Sequence, residues 1–240
     1  MPNWVYNSVS LSGNSDDIAK VKEQLNRAYE RPYDEWDAET KSFKEVIATF
    51  SNPVFSFWNI IAPTDLDTYR KQPDYSIPLN QALRFESDDW YSWNIRNWGT
   101  KWDVALFDDE KYPETELIHE ENEHIIYRLN TAWSPPIPAL EKLSEQYPEL
   151  TIDLEYEEET GWGGEMVFKN GKIVSQLDYE TRCRDCDALN TMEYCENDCG
   201  EICSSCKWLG EADLECVAEC DIHKIYLTKE FVPDYRLEKA

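Results

Sequence analysis

An α+β fold, an antiparallel sheet with its helices on one face, is predicted by three features of this 240-residue chain. Segments of strand and helix period succeed one another as strand, helix, strands, helix, strands, the order of a sheet with helices segregated to one side. Ile152, Leu154 and Tyr156 alternate with Asp153, Glu155 and Glu157, the period of a strand that is wet on one face. Ten Trp, fourteen Tyr and eight Phe supply the core that an acidic disordered chain lacks.

The elements follow in order. Trp4 to Leu11 reads as a strand closed by Ser12-Gly13-Asn14, and a helix follows, with Ser15 or Asp16 as cap and Ile18, Val21, Leu25 and Ala28 on one face until Pro32. Residues 30–50 are charged and aromatic, with a short helix expected around Lys41 to Thr49. Val54 to Ile61 reads as a buried strand stopped by Pro63, and Thr64 to Ser87 as loop. Asp88 is placed to cap a short helix through Trp90, Trp93 and Ile95 that stops at Gly99, with Trp102 to Phe107 as the next strand. An acidic turn, Asp108 to Glu123, precedes a strand at Ile125 to Leu129. Pro135, Pro136 and Pro138 then introduce a helix carrying Leu140, Leu143 and Tyr147. After the alternating strand, Gly161 to Gly164 makes a turn, and Asn170-Gly171 between two apolar runs is a hairpin signal because both residues tolerate positive φ. Ile225 to Leu227 is a last strand.

Four segments in this order resemble a known family: Pro2 to Asn7, Phe57 to Pro63, Trp90 to Trp93 continued by Asn97-Trp98-Gly99-Thr100-Lys101-Trp102-Asp103, and Thr131 to Pro136. They are similar to the YubB-type ferredoxin-like proteins of phages and plasmids over most of residues 1–180, and Asn97 to Trp102 is the most specific piece. The resemblance implies a ferredoxin-like antiparallel sheet, with no iron–sulfur cluster, and a phage origin. It implies no catalytic residues. It points to Asn97, Trp98, Lys101 and Trp133 as a surface shared with the family, whereas the cysteine-rich block stands apart from the family pattern.

With 23 Lys and Arg against 49 Asp and Glu, the formal charge is −26. A field of this sign repels phosphates, which disfavours direct nucleic-acid binding through counterion release and docking on anionic membranes. The N-terminus has no basic stretch followed by an apolar core, and no apolar run approaches the roughly 18 residues of a membrane span, so the expected compartment is cytoplasmic, the host cytoplasm for a phage protein.

All eight cysteines lie between 183 and 220, as Cys183-x2-Cys186, Cys195-x3-Cys199, Cys203-x2-Cys206 and Cys216-x3-Cys220. Four close pairs in a chain expected in a reducing compartment predict two structural zinc ions, each held by four thiolates. Pairing of neighbours in sequence and a cross-brace both satisfy the spacing. Metal would fold residues 183–220 as an insertion in a domain formed by 1–182 and completed by 221–240. That insertion has ten acids against Arg184 and Lys207, a local charge of −8 that two loaded zinc sites would bring to about −12. Its expected partner contacts are Asp185, Asp187, Glu193, Glu196, Asp198, Glu201, Trp208, Glu211 and Asp213.

Catalytic patterns are absent. His119 and His124 are five apart, where a zinc-protease helix needs four, and they read as solvated loop histidines. His223 is adjacent to a site that eight thiolates already complete. No phosphate-cradling loop is present, and Glu155 to Glu159 reads as a solvated face. The reading with most support is a non-enzymatic acidic phage accessory protein that binds a basic host protein, inhibiting a defence or nucleic-acid-handling factor by charge mimicry. Its rivals are a nucleic-acid-binding protein using aromatics with Arg84, Arg96 and Lys101, and a small-molecule enzyme with a zinc-stabilised lid near Asn97 to Asp103.

Overall fold

The computed structural model describes residues 3–73, 89–105, 114–180, 188–190, 192–194, 201–203 and 205. The chain divides into two compact units, Met1–Glu159 with Gly164–Leu177 and Thr160–Gly163 with Asp178–Ala240. The described elements are strands β1 (Trp4–Ser12), β2 (Tyr29–Asp37), β3 (Ser42–Phe50), β4 (Thr115–Glu121), β5 (His124–Ala132), β6 (Thr151–Glu158), β7 (Gly163–Lys169), β8 (Lys172–Tyr179), β9 (Met192–Tyr194) and β10 (Glu201–Cys203). The helices are α1 (Ser15–Leu25), α2 (Leu66–Tyr69), α3 (Trp90–Trp98) and α4 (Ile137–Gln146).

A six-stranded sheet runs in the order β4-β5-β1-β6-β7-β8. β1 lies antiparallel between β5 and β6, with Val9 opposite both Tyr127 and Leu154 and Leu11 opposite Ile125 and Ile152. These positions share one face and are buried, while Ser8, Ser10, Arg128, Asp153 and Glu155 occupy the other. Ile18, Val21 and Leu25 of α1 and Ala139, Leu140 and Leu143 of α4 join the same core. Each Ile, Val or Leu among them contributes about 1.5–3 kcal/mol on burial. The α+β prediction, with helices gathered on the apolar face, is therefore what the chain adopts.

The helix caps lie one residue from their expected places. Asn14 Oδ1, ahead of Ser15, accepts from the Asp17 N–H at 3.0 Å, and Asp89 Oδ1, not Asp88, accepts from the Ser92 N–H at 2.8 Å. α4 has no side-chain cap, and Pro138 stands in its first turn, where a missing N–H costs little. The Asn170-Gly171 turn forms with φ of 49° and 71°.

Five expectations are corrected. Residues 41–49 are not helical, because β2 and β3 pair over nine residues as a hairpin, from Tyr29↔Phe50 to Asp37↔Ser42. Val54 to Ile61 is buried at Phe55, Phe57 and Ile60 but folds as turns, and Trp102 to Ala105 is not a strand. The acidic stretch before Ile125 contains β4, paired to β5 through Glu116↔Arg128 with a register shift between Leu117 and His119. The glutamate run is not wholly solvated, since Glu158 sits opposite Val5 on the core face and is 2% exposed. The strand expected at Ile225 to Leu227, and the completion of the first domain by 221–240, lie outside the described residues.

Candidate functional site

The segment Asn97 to Asp103 divides between scaffold and surface. Asn97 Nδ2 donates to the Trp93 carbonyl within its own helix at 2.8 Å, and Trp98 is fully buried with its Nε1 donating to the Ile61 carbonyl at 3.0 Å. Trp98 is thus a core residue and is removed from the expected shared surface. Gly99 ends α3 at φ 83°, and a Cβ there would lie 2.5 Å from Pro138 Cδ and 3.0 Å from the Pro135 carbonyl oxygen. Gly99→Ala is accordingly expected to lose about 2–4 kcal/mol of stability in urea unfolding, from left-handed strain and steric conflict together. An unchanged midpoint would contradict that account.

Thr100 sets the neighbourhood. Its Oγ1 donates to the Ala132 carbonyl at 3.0 Å and accepts from the Ala132 N–H at 3.1 Å, joining the chain after α3 to the end of β5. Ser134 Oγ donates to the Gly99 carbonyl. These bonds bring the residues next in sequence, Lys101 and Trp133, side by side. Lys101 Nζ lies 4.4 Å from the Trp102 ring centroid and 4.5 Å from that of Trp133, a cation held between two aromatic faces. Both indoles are 38% exposed. The buried rings of Trp4 and Tyr91 back these indoles from inside, 6.2 Å from Trp102 and 6.0 Å from Trp133. Partial burial holds the Lys101 ammonium below its ordinary pKa. Trp133 has φ 74°, rare for a bulky residue, and donates its N–H to the Asn3 carbonyl at 2.9 Å. Of the four nominated residues, the structure brings Lys101 and Trp133 together and adds Trp102, which the sequence places only at the start of an expected strand.

Asp103 closes the segment from inside. Its carboxylate accepts from the N–H groups of Phe57 (2.8 Å), Trp58 (3.1 Å), Val104 (2.8 Å) and Ala105 (3.4 Å), and from the hydroxyls of Ser56 (2.8 Å) and Tyr29 (3.1 Å). Burial first, and the Asp103 charge second, push the Tyr29 phenol far above its ordinary range, so it remains a donor. Asp103 is therefore a framework residue beneath the exposed Lys101–Trp102 pair.

The histidines are not loop residues. His119 lies in β4 and His124 begins β5, and the hairpin between them brings their rings to 5.0 Å, with His124 Nε2 2.9 Å from Ser10 Oγ. Burial raises the nearby Asp153 carboxyl above its ordinary range, partly offset by His124. Among the described residues no group of three His, Cys, Asp or Glu side chains is placed to hold a metal.

Of the eight cysteines, the structure describes Cys203 alone, by its backbone, opposite Met192 in the β9–β10 pair. Glu193 and Glu201 fall on the same small pair, with Glu201 opposite Tyr194. Cys183, Cys186, Cys195, Cys199, Cys206, Cys216 and Cys220 lie outside the described residues, as do Asp185, Asp187, Glu196, Asp198, Trp208, Glu211, Asp213, Arg84 and His223. No described helix is long and apolar enough to cross a membrane.

Fold and site together define an α+β protein with a one-sided antiparallel sheet and an aromatic-framed lysine on its surface. Residues 112–203 match the family model described as "Ferredoxin-like domain in Api92-like protein". This span includes Cys183, Cys186, Cys195, Cys199 and Cys203, so the cysteine block is not wholly outside it. In structure the chain is similar to protein Api92 from Yersinia pseudotuberculosis at 9% identity and a TM-score of 0.49, covering 76% of this chain and 100% of that one. No curated protein matches in sequence.

Proposed function

We propose that the chain is a non-enzymatic accessory protein of phage origin that uses its acidic surface to bind a basic host protein, occupying the place of a nucleic acid on a defence or nucleic-acid-handling factor. The observation that carries this reading is how the described cations are used. Lys20 pairs with Asp17, Lys22 with Glu120, Arg70 with Glu45, Arg128 with Glu116 and Lys142 with Glu145. Arg31 lies over Phe50 and Trp58, and Lys101 between its two indoles. Seven of the fourteen described Lys and Arg are engaged in this way, and the surplus that makes the chain −26 is carboxylate. On the open face of the sheet, Asp153, Glu155 and Glu157 form an outward row about 6.8 Å apart along β6. Such a field speeds encounter with a basic surface and rejects acidic ones.

Two zinc ions on Cys183, Cys186, Cys195, Cys199, Cys203, Cys206, Cys216 and Cys220 complete the proposal, stiffening an acidic module whose apolar contact is Trp208. The nucleic-acid reading draws support from one feature, the exposed Trp102 and Trp133 around Lys101, which offer stacking surfaces beside a cation. A tagged pull-down from bacterial lysate with and without nuclease separates the two. The acidic reading predicts a basic protein retained after nuclease treatment at low salt, released at high salt, and retained less by a variant with Asp153, Glu155 and Glu157 changed to Lys. Nucleic acid retained, or protein retained only while nucleic acid is intact, would instead establish the aromatic reading.

A further inference from the structure

The β2–β3 hairpin forms a two-stranded sheet of its own, separate from the six-stranded one. Its root is anchored: Ala48 and Phe50 are buried, Tyr29 stacks on Phe50 at 4.6 Å and on Trp58 at 6.0 Å, and Arg31 lies over both of those rings. Its outer half is different. From Ser42 to Glu45 successive residues are exposed, whichever face they occupy, as are Glu35 and Trp36 on the other strand. The hairpin is therefore an arm whose distal part is tied to the rest of the described chain by the Arg70–Glu45 ion pair and is otherwise largely exposed. Trp36 and Phe43 are directly opposed in the ladder, touch edge to face at 5.2 Å, and share a face with Ile47. The three are 55%, 52% and 53% exposed. A cross-strand aromatic pair helps hold a hairpin together. That does not account for leaving half of each ring, and Ile47 beyond them, in water.

We infer that this face of the arm is a docking surface for an extended Lys/Arg-rich segment of a partner protein that alternates basic and apolar residues. The inference rests on the acidic reading above and gives it a location. Charge names the occupant: residues 34–45 carry Asp34, Glu35, Asp37, Glu39 and Glu45 against Lys41 and Lys44, and with Glu45 paired to Arg70 the other four acids still outnumber the two lysines. Geometry names its shape, because a two-stranded sheet has an outer edge on each strand that can pair with an added one, and the side chains of that strand would fall alternately on the Trp36–Phe43–Ile47 face and away from it.

The test uses two labelled nine-residue peptides of equal charge, alternating Lys with Leu and Lys with Ser, titrated by anisotropy against the whole chain and against Trp36→Ser/Phe43→Ser. Both sites are exposed, so the variant is expected to stay folded with a slightly lowered thermal midpoint, and Ile47→Ser, which leaves the aromatic pair in place, provides a second, milder removal. The expected result is binding of both peptides at low salt, with the Lys–Leu peptide about tenfold tighter and that preference lost in the double variant. Equal binding of both peptides by the wild type would leave the acidic reading standing and overturn the docking site. A preference that survives the double substitution would also overturn it. Binding of neither peptide would overturn both. A concentration-dependent dimer in sedimentation, dissolved by the double variant, would assign the face to a second copy of the chain and overturn the inferred partner.

Discussion

Replacing Asp103 by alanine is expected to remove about 3–5 kcal/mol of stability, read as a lowered urea midpoint with an unchanged slope. The carboxylate accepts from four backbone N–H groups and two hydroxyls, half of them in buried bonds. Alanine would leave all six without that acceptor, and each buried group left unsatisfied costs about 1–3 kcal/mol before relaxation and water entry recover a part. Asp103→Asn is expected to cost nearly as much, because the amide presents a donor to groups that also donate. The consequence reaches the surface. Asp103 holds the Ser56–Trp58 turn against the chain that carries Lys101 and Trp102, so the variant should also raise the exposure of Trp102 to iodide quenching. A midpoint within experimental error of wild type would mean that water replaces the carboxylate and that the turn has another support.

The second large effect concerns metal. The zinc proposal predicts about two zinc ions per chain by atomic emission, with sulfur neighbours at about 2.3 Å in X-ray absorption. Binding energies of structural zinc sites, on the order of 10–16 kcal/mol, are folding energy for a segment with few apolar residues. Removal by a strong chelator is therefore expected to expose residues 183–220 to proteolysis, while the sheet core formed by Val9, Leu11, Tyr127 and Leu154 remains protected from hydrogen exchange. Absence of zinc together with eight cysteines oxidised in pairs would contradict the proposal.

Most of the sheet could be read from the chain because burial follows strand period. Val9 and Leu11 in β1, Ile125 and Tyr127 in β5 and Ile152 and Leu154 in β6 are buried at alternate positions, as their order in sequence predicts. The hairpin was missed for the converse reason: in its outer half neither face is buried, so no alternation marks it. The signal that was present lay in Val46, Ile47 and Thr49, whose branching favours strand over helix. Val54 to Ile61 was misread because an unbroken apolar run of that length fits a buried strand. What turns it is a carboxylate 46 residues away that takes the Phe57 N–H, a nonlocal partner invisible to a window of neighbours. β4 was hidden by its own acids, Glu116, Glu120 and Glu121. The candidate site was legible only as a segment. Spacing placed Asn97 to Lys101 near the end of a helix, but which residues face outward depends on the Thr100–Ala132 exchange, which is set by the end of β5.

The proposed function requires long-range electrostatic attraction between this chain and a basic protein. Its most direct test is the association rate constant with the captured protein, purified free of nucleic acid, measured across ionic strength. The expected result is a rate that falls at least about tenfold between roughly 50 and 500 mM salt and falls further when Asp153, Glu155 and Glu157 are reversed in charge, with dissociation changing much less. An association rate indifferent to both salt and charge reversal would contradict the account.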